Sequence, residues 1–137
     1  MAEKEIVYRF FKDGYEKKRY DSVMECVSED YVDHSPAGAR SNAEAVHILK
    51  IVEGQFSDLK IRVLDLFSEG DLVATRVLYE GVHTGTCMGI PATGKRVRFE
   101  ALENFRVVDG KITESWGYWP DKEIEQKLLD ARDHLEK

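Results

Sequence analysis

The sequence predicts an α+β domain, with helices packed on a curved, mainly antiparallel sheet. Three observations predict it. Apolar residues recur at helical spacing through the first 56 residues and at strand-like spacing after them. Asp109-Gly110 separates two apolar-rich runs, the strongest short-range hairpin signal, because a type I′ turn needs positive φ at both central residues. The 137 residues, 42% hydrophobic and 34% charged, suit one soluble domain (1–137) with its own core.

In order along the chain, Ile6, Val7, Phe10, Phe11 and Tyr15 make an amphipathic helix from Glu3 to Lys18 with a broad aromatic face. A short second helix is expected from Asp21, as its N-cap, burying Val23, Met24 and Val27. Glu29 to Pro36 reads as extended, since Pro36 keeps Ser35 out of the helical region. Ser41 or Asn42 caps a third helix running to about Phe56, with Ala45, Ile48, Leu49, Val52 and Phe56 inward. Asp58 to Phe67 alternates imperfectly as a strand. Ser68 to Asp71 turns, and Leu72 to His83 is a strand with Val73, Thr75, Val77 and Tyr79 on one side. Thr84 to Gly94, with three glycines and a proline, is a loop. The Val97–Asp121 hairpin follows, and Lys122 to Lys137 closes the chain as a helix carrying Ile124, Leu128, Ala131 and Leu135 on one stripe. Short helices cannot fill a strongly bent sheet, so an apolar pocket between the layers is expected.

Composition narrows the function classes. A net charge of −6 argues against nucleic acid, which wants a basic face. Lys17-Lys18-Arg19 and Lys95-Arg96-Arg98 read as solvated surface. The charged N-terminus has no apolar signal-peptide core, and no apolar run reaches the ~18 residues of a membrane span. Cys26 and Cys87 lack metal or redox spacing and read as reduced thiols of a cytoplasmic protein. The four histidines show no paired metal-ligand spacing, and no phosphate or dinucleotide fingerprint is present, so no metal, phosphate-loop or dinucleotide site is expected.

Three stretches, EDYVDHSPAG, EGVHTGTCMGIPATGKRV and ENFRVVDGKITESWGYWPD, carry a family resemblance. In that order they resemble the SnoaL-like polyketide cyclases of the nuclear transport factor 2-like superfamily, over roughly Glu5 to Leu129. The resemblance implies a cystatin-like α+β cone with an apolar cavity, dimerised through the outer sheet face. It also implies ring closure by intramolecular aldol condensation, using side-chain acid–base chemistry without a cofactor. The family's catalytic Asp lies on the last strand, two residues beyond a His. Matching from Lys111-Ile112-Thr113-Glu114 puts Ser115 and Gly117 at those positions. Matching back from Trp119-Pro120-Asp121 puts Tyr118 at the Asp position, with one residue inserted. Neither alignment supplies an Asp, and a second pocket His is replaced by Glu103.

Four residues are candidates for catalysis. Glu103 shares a strand face with Phe99, Ala101 and Phe105, where desolvation raises a carboxyl pKa toward that of a general base. A salt bridge to Arg76 or Arg106 is the structural alternative. His34 beside Asp33 can serve at the pocket mouth, although adjacent residues on an extended segment face opposite sides. Tyr15 can donate to an enolate oxygen, or be core. Asp121 is either a helix N-cap or the carboxylate nearest the family's catalytic position. Asp33, Ser115, Trp116, Tyr118, Trp119 and Met88 are candidate substrate-binding residues, the last four as a wall for a flat apolar ligand, with core or dimer packing as the alternative. His83, by resemblance, fixes the neighbouring loop.

Two functions compete on this reading. One is a cofactor-independent enzyme, an aldol cyclase or isomerase acting on a small apolar carbonyl compound. The other is a non-catalytic binder of a small hydrophobic molecule. An interaction module using the outer sheet face and the last helix is a third.

Overall fold

The computed structural model describes residues 2–135. Residues 136–137, the end of the closing helix expected from sequence, lie outside the described residues. Four α-helices and five strands follow the order α1 (Glu3–Arg9), α2 (Tyr20–Cys26), β1 (Val27–Asp33), α3 (Asn42–Gln55), β2 (Phe56–Glu69), β3 (Leu72–His83), β4 (Arg96–Val108), β5 (Lys111–Tyr118) and α4 (Asp121–Leu135). The strands form one curved sheet in the order β1-β5-β4-β3-β2. The β2–β3, β3–β4 and β4–β5 pairs are antiparallel, whereas β1 lies parallel to β5. That parallel pair needs the long excursion through α3, β2, β3 and β4, which no local pattern announces.

The first helix is not α-helical throughout. Past Arg9 the backbone widens into a π-helical stretch, Phe10–Glu16, ending with Lys17 N–H donating to the Lys12 carbonyl. The i→i+5 register turns Phe10 and Tyr15 to one side, and both are buried with Phe11 and Gly14. A Cβ on Gly14 would come within 3.2 Å of Leu49 and 3.3 Å of Val23, so its bare backbone lets the π turn settle onto α3 and α2. Lys12 Nζ donates to the Ile61 carbonyl (2.6 Å) and Glu16 accepts from the Ile61 N–H (3.0 Å). This ion pair docks the π turn on the backbone of β2.

Several expectations shift by a residue or a face. Helix α2 starts at Tyr20, so Asp21 lies inside its first turn instead of capping it, and Met24 is exposed while Ser22, Val23 and Cys26 are buried. Ser41 caps α3, its hydroxyl accepting from Glu44 N–H (3.0 Å). The imperfect alternation of β2 reflects irregular register between Ser57 and Lys60 and between Val63 and Asp65. Asp109 and Gly110 both have positive φ, as the hairpin requires. On α4, Ile124 and Leu128 are buried but Leu135 is exposed, so the inner stripe holds along only half the helix. Among the described residues no helix is long and apolar enough to cross a membrane.

Candidate active site

Strict alternation on β3 and β4 aims every second side chain at the helices. From β4 these are Val97, Phe99, Ala101, Glu103, Phe105 and Val107, five apolar residues and one carboxylate. Between this face and the helices lies a cleft of about 410 Å³. Helix α3 supplies an apolar wall through Ala45, Ile48, Leu49 and Val52, and the π turn adds Phe10 and Tyr15. β4 and β5 contribute Glu103, Phe105, Ser115, Gly117 and Tyr118, and the corner after β5 adds Trp119 and Asp121. The rim is the 33–40 segment. It is folded tightly because Arg40 Nη1 donates to the carbonyls of Asp33, Gly38 and Ala39, and Asp33 N–H donates to Ala39 O.

Glu103 is 9% exposed and has no cationic partner among the described residues. Arg76 is engaged by Asp65 and Glu100, and Arg106 by Asp71 and Glu114, so neither takes up the salt bridge considered from sequence. The Tyr79 hydroxyl donates to Oε2. Oε1 lies over Gly117, where an added Cβ would sit 3.3 Å from it. Glu103 and Gly117 are directly paired across β4 and β5. Burial pushes the Glu103 carboxyl up to about 7. The hydroxyl of Tyr79 and the Trp119 side chain favour the ionised form, and the charge of Asp33 opposes it.

The tyrosines around Glu103 stay neutral. Burial, reinforced by the Glu103 charge, holds Tyr15 and Tyr79 well above the ordinary phenol range. Tyr79 stacks on Phe99 at 5.2 Å and meets Tyr15 edge-on at 5.3 Å and Trp119 at 4.8 Å. A second polar chain faces Glu103 from β1. The Tyr31 hydroxyl bonds Ser115 Oγ, which donates to Asp33 Oδ1 (3.5 Å), and Asp33 Oδ1 also accepts from Ser35 N–H (2.8 Å). Burial likewise pushes the Tyr31 phenol up.

The structure therefore brings together Glu103, Tyr15, Asp33, Ser115, Trp119, Tyr118 and Asp121. Tyr118 is 71% exposed and stands at the mouth. Asp121 is the first residue of α4, and the Pro120 carbonyl, one position earlier, accepts from Ile124 N–H; the capping position is Pro120, not Asp121. Three of the expected residues are placed elsewhere. His34 points away from the cleft, bonding Glu114 Oε2 (2.8 Å) and stacking on Trp116 at 5.0 Å. Alternation along β1 and β5 is the cause, since Asp33 and Ser115 take the inner face and His34 and Trp116 the outer one. Met88 is exposed on the 84–94 loop, outside the cleft lining. His83 is fully buried and ties that loop down, its Nδ1 meeting the Thr93 hydroxyl (3.1 Å) and backbone N–H (3.3 Å).

Sequence reasoning passed over Tyr79 and Tyr31. Tyr31 shares a strand face with the candidate Asp33 on β1, and Tyr79 is one of the alternating residues Val73, Thr75, Val77 and Tyr79 on one side of β3, with no site role drawn from it. The signal was the two-residue period. The missing information was the register that sets Tyr79 beside Glu103.

The sequence matches the family model described as SnoaL-like polyketide cyclase over residues 5–128. It is 30% identical over 116 residues to aklanonic acid methyl ester cyclase DnrD of Streptomyces peucetius, covering 80% of this chain and 78% of that one. The fold superposes on AclR, a candidate hydroxylase from Streptomyces galilaeus, with a TM-score of 0.82 at 26% identity, covering 93% and 96% of the two chains. A SnoaL-like polyketide cyclase from Agrobacterium tumefaciens has the same fold, with a TM-score of 0.79 at 18% identity and coverage of 93% and 98%. With a family match that spans nearly the whole described chain, this protein belongs to the SnoaL-like polyketide cyclase family.

Proposed function

We propose that this protein is a cofactor-independent acid–base enzyme of the aldol cyclase type, acting on a small apolar carbonyl compound with Glu103 as its base. The observation that carries this reading is the position of the Glu103 carboxyl. It is buried in the cleft, has no cation beside it among the described residues, and is pushed by burial up to about 7. A base whose pKa lies near the working pH combines availability with driving force. Its Oε1 lies over Gly117, which with Tyr118 is one of the two positions at which the family resemblance expects an Asp. The carboxylate of this chain thus comes from β4 instead of β5 and reaches the same part of the cleft.

In the proposed reaction Glu103 takes a proton from carbon next to a carbonyl. The neutral Tyr15 hydroxyl donates to the enolate oxygen that forms. The enolate carbon attacks a second carbonyl of the same molecule, a carbon–carbon bond closes the ring, and the proton on Glu103 returns to the new alkoxide. Product and substrate have the same mass. Asp33, Ser115, Tyr118 and Trp119 are the remaining substrate contacts on this reading, with Asp121 at the mouth.

The test uses aklanonic acid methyl ester, the compound named for the DnrD relative. Chromatography should reveal an isomer of unchanged mass, and Glu103→Gln should lower its rate by roughly 10²–10⁴-fold. Binding of the ester without turnover, unaffected by Glu103→Gln, would instead support the ligand-binding reading. The family resemblance also suggests a homodimer through the outer sheet face. Exposed Leu102, on the outward side of β4, supports that proposal. Sedimentation of the intact chain would decide it.

A further inference from the structure

We propose that Tyr79 is the positioning residue of the Glu103 carboxyl: its hydroxyl ties down Oε2 and leaves Oε1, over Gly117, as the oxygen that faces the cleft and exchanges the proton. The inference rests on the reading of Glu103 as the base. A carboxyl group can rotate about its last bond, and either oxygen can then take the proton. Here one oxygen is spoken for. Tyr79 is fully buried and outside the cleft lining, so it touches no ligand there and acts only through Glu103. Its ring is held between Phe99, stacked at 5.2 Å, and Trp119 at 4.8 Å, with Tyr15 edge-on at 5.3 Å. With Phe11 edge-on at 6.5 Å, four aromatic contacts fix where the hydroxyl points, and the hydroxyl holds Oε2 while the Trp119 side chain is a second donor to the carboxyl.

The bond has a second effect. A donor on Oε2 favours the ionised form and offsets part of the desolvation that raises this group. The titratable groups facing Glu103 are Tyr79 on β3, Tyr15 on the π turn, and Tyr31 and Asp33 on β1, none of them cationic. Tyr79 is the one of these four whose hydroxyl is bonded to the carboxyl. Its removal leaves the carboxyl with its full burial and one donor fewer. Tyr79→Phe keeps the ring and its four aromatic contacts and deletes only that donor.

The experiment is a ¹³C NMR titration of the glutamate side-chain carboxyls in the whole protein. The Glu103 signal is identified by its loss in Glu103→Gln. Tyr79→Phe should move the Glu103 midpoint upward by about one pH unit. A side chain that merely fills space would leave it in place. A midpoint that stays or falls in a folded Tyr79→Phe protein overturns the proposal. Should that variant not fold, the same titration is run on protein with 3-fluorotyrosine in place of tyrosine. Its more acidic phenols are stronger donors and should lower the midpoint, and no movement overturns the proposal. Failure of the base reading looks different: the midpoint responds to Tyr79, yet the wild-type protein does not convert aklanonic acid methyl ester. If instead turnover requires Glu103 while the midpoint ignores Tyr79, the base reading stands and the positioning role falls.

Discussion

Glu103→Gln should make this protein more stable at neutral pH and leave it nearly unchanged in mild acid. In the unfolded chain Glu103 ionises near its ordinary value of 4.5, whereas in the folded protein it holds its proton to about 7. Between those values the native state binds more protons than the unfolded state, so stability falls as pH rises through the window. Each pH unit of that gap is worth about 1.4 kcal/mol, so the wild type should lose roughly 3 kcal/mol by pH 7.5 relative to pH 4.5 from this group alone. Glutamine imitates the protonated acid, still accepts from the Tyr79 hydroxyl, and does not titrate. Urea unfolding of both proteins at half-unit steps from pH 4.5 to 8 measures the difference. The two stability curves should nearly meet at the acid end and separate by roughly 3 kcal/mol at the neutral end, with the variant higher. A separation independent of pH would refute the buried, unpaired carboxyl on which the proposed chemistry rests.

Other consequences can be checked without a substrate. Tyr15, Tyr31 and Tyr79 should stay protonated through the range, near about pH 10, where phenols ordinarily ionise, so a tyrosinate absorbance titration of the native protein should reveal them only on unfolding. Gly85 and Gly54 should respond oppositely to alanine. A Cβ on Gly85 would lie 1.9 Å from the Gly54 carbonyl oxygen, so Gly85→Ala should cost about 3 kcal/mol or more, whereas Gly54 has open space at the end of α3 and Gly54→Ala should gain about 0.5–1 kcal/mol. Ser41→Ala removes the α3 cap and should cost about 1 kcal/mol in the same unfolding assay.

What was legible in the sequence follows from which interactions are local. A cap at Ser41 or Asn42, Asp109-Gly110 as a turn, and the alternation of Leu72–His83 each depend on a few neighbouring residues, and each is found in the structure, with Ser41 as the cap. Glu103 could be assigned to a buried face because its own strand carries the apolar pattern. The π turn could not be read, since Phe10, Phe11 and Tyr15 fit an α-helical stripe nearly as well, and the choice is made by Leu49 and Val23 against Gly14. Nor could the partners of Glu103 be read. Tyr79 reaches it through β3–β4 register, and Asp33 through a parallel pairing of strands some 80 residues apart in sequence. His34 and Trp116 fall outside the cleft for a local reason, the two-residue period of β1 and β5, once Asp33 and Ser115 take the inner face. Their neighbours are in the cleft, but the pleat turns these two side chains outward.

The Lys12–Glu16 clamp has a consequence for how the protein behaves in a crowd. Strand β2 is long and lies at the end of the sheet, where a row of unsatisfied backbone groups invites another chain to add on. Lys12 and Glu16 occupy both backbone groups of Ile61, and the irregular register on either side keeps the flanking edge from lying flat. The edge is thus guarded by the same turn that carries Tyr15 into the cleft. Loss of this one ion pair would uncover both backbone groups of Ile61 on the sheet edge and release the turn that carries Tyr15, so the edge and one wall of the cleft are held by the same contact with a single residue of β2.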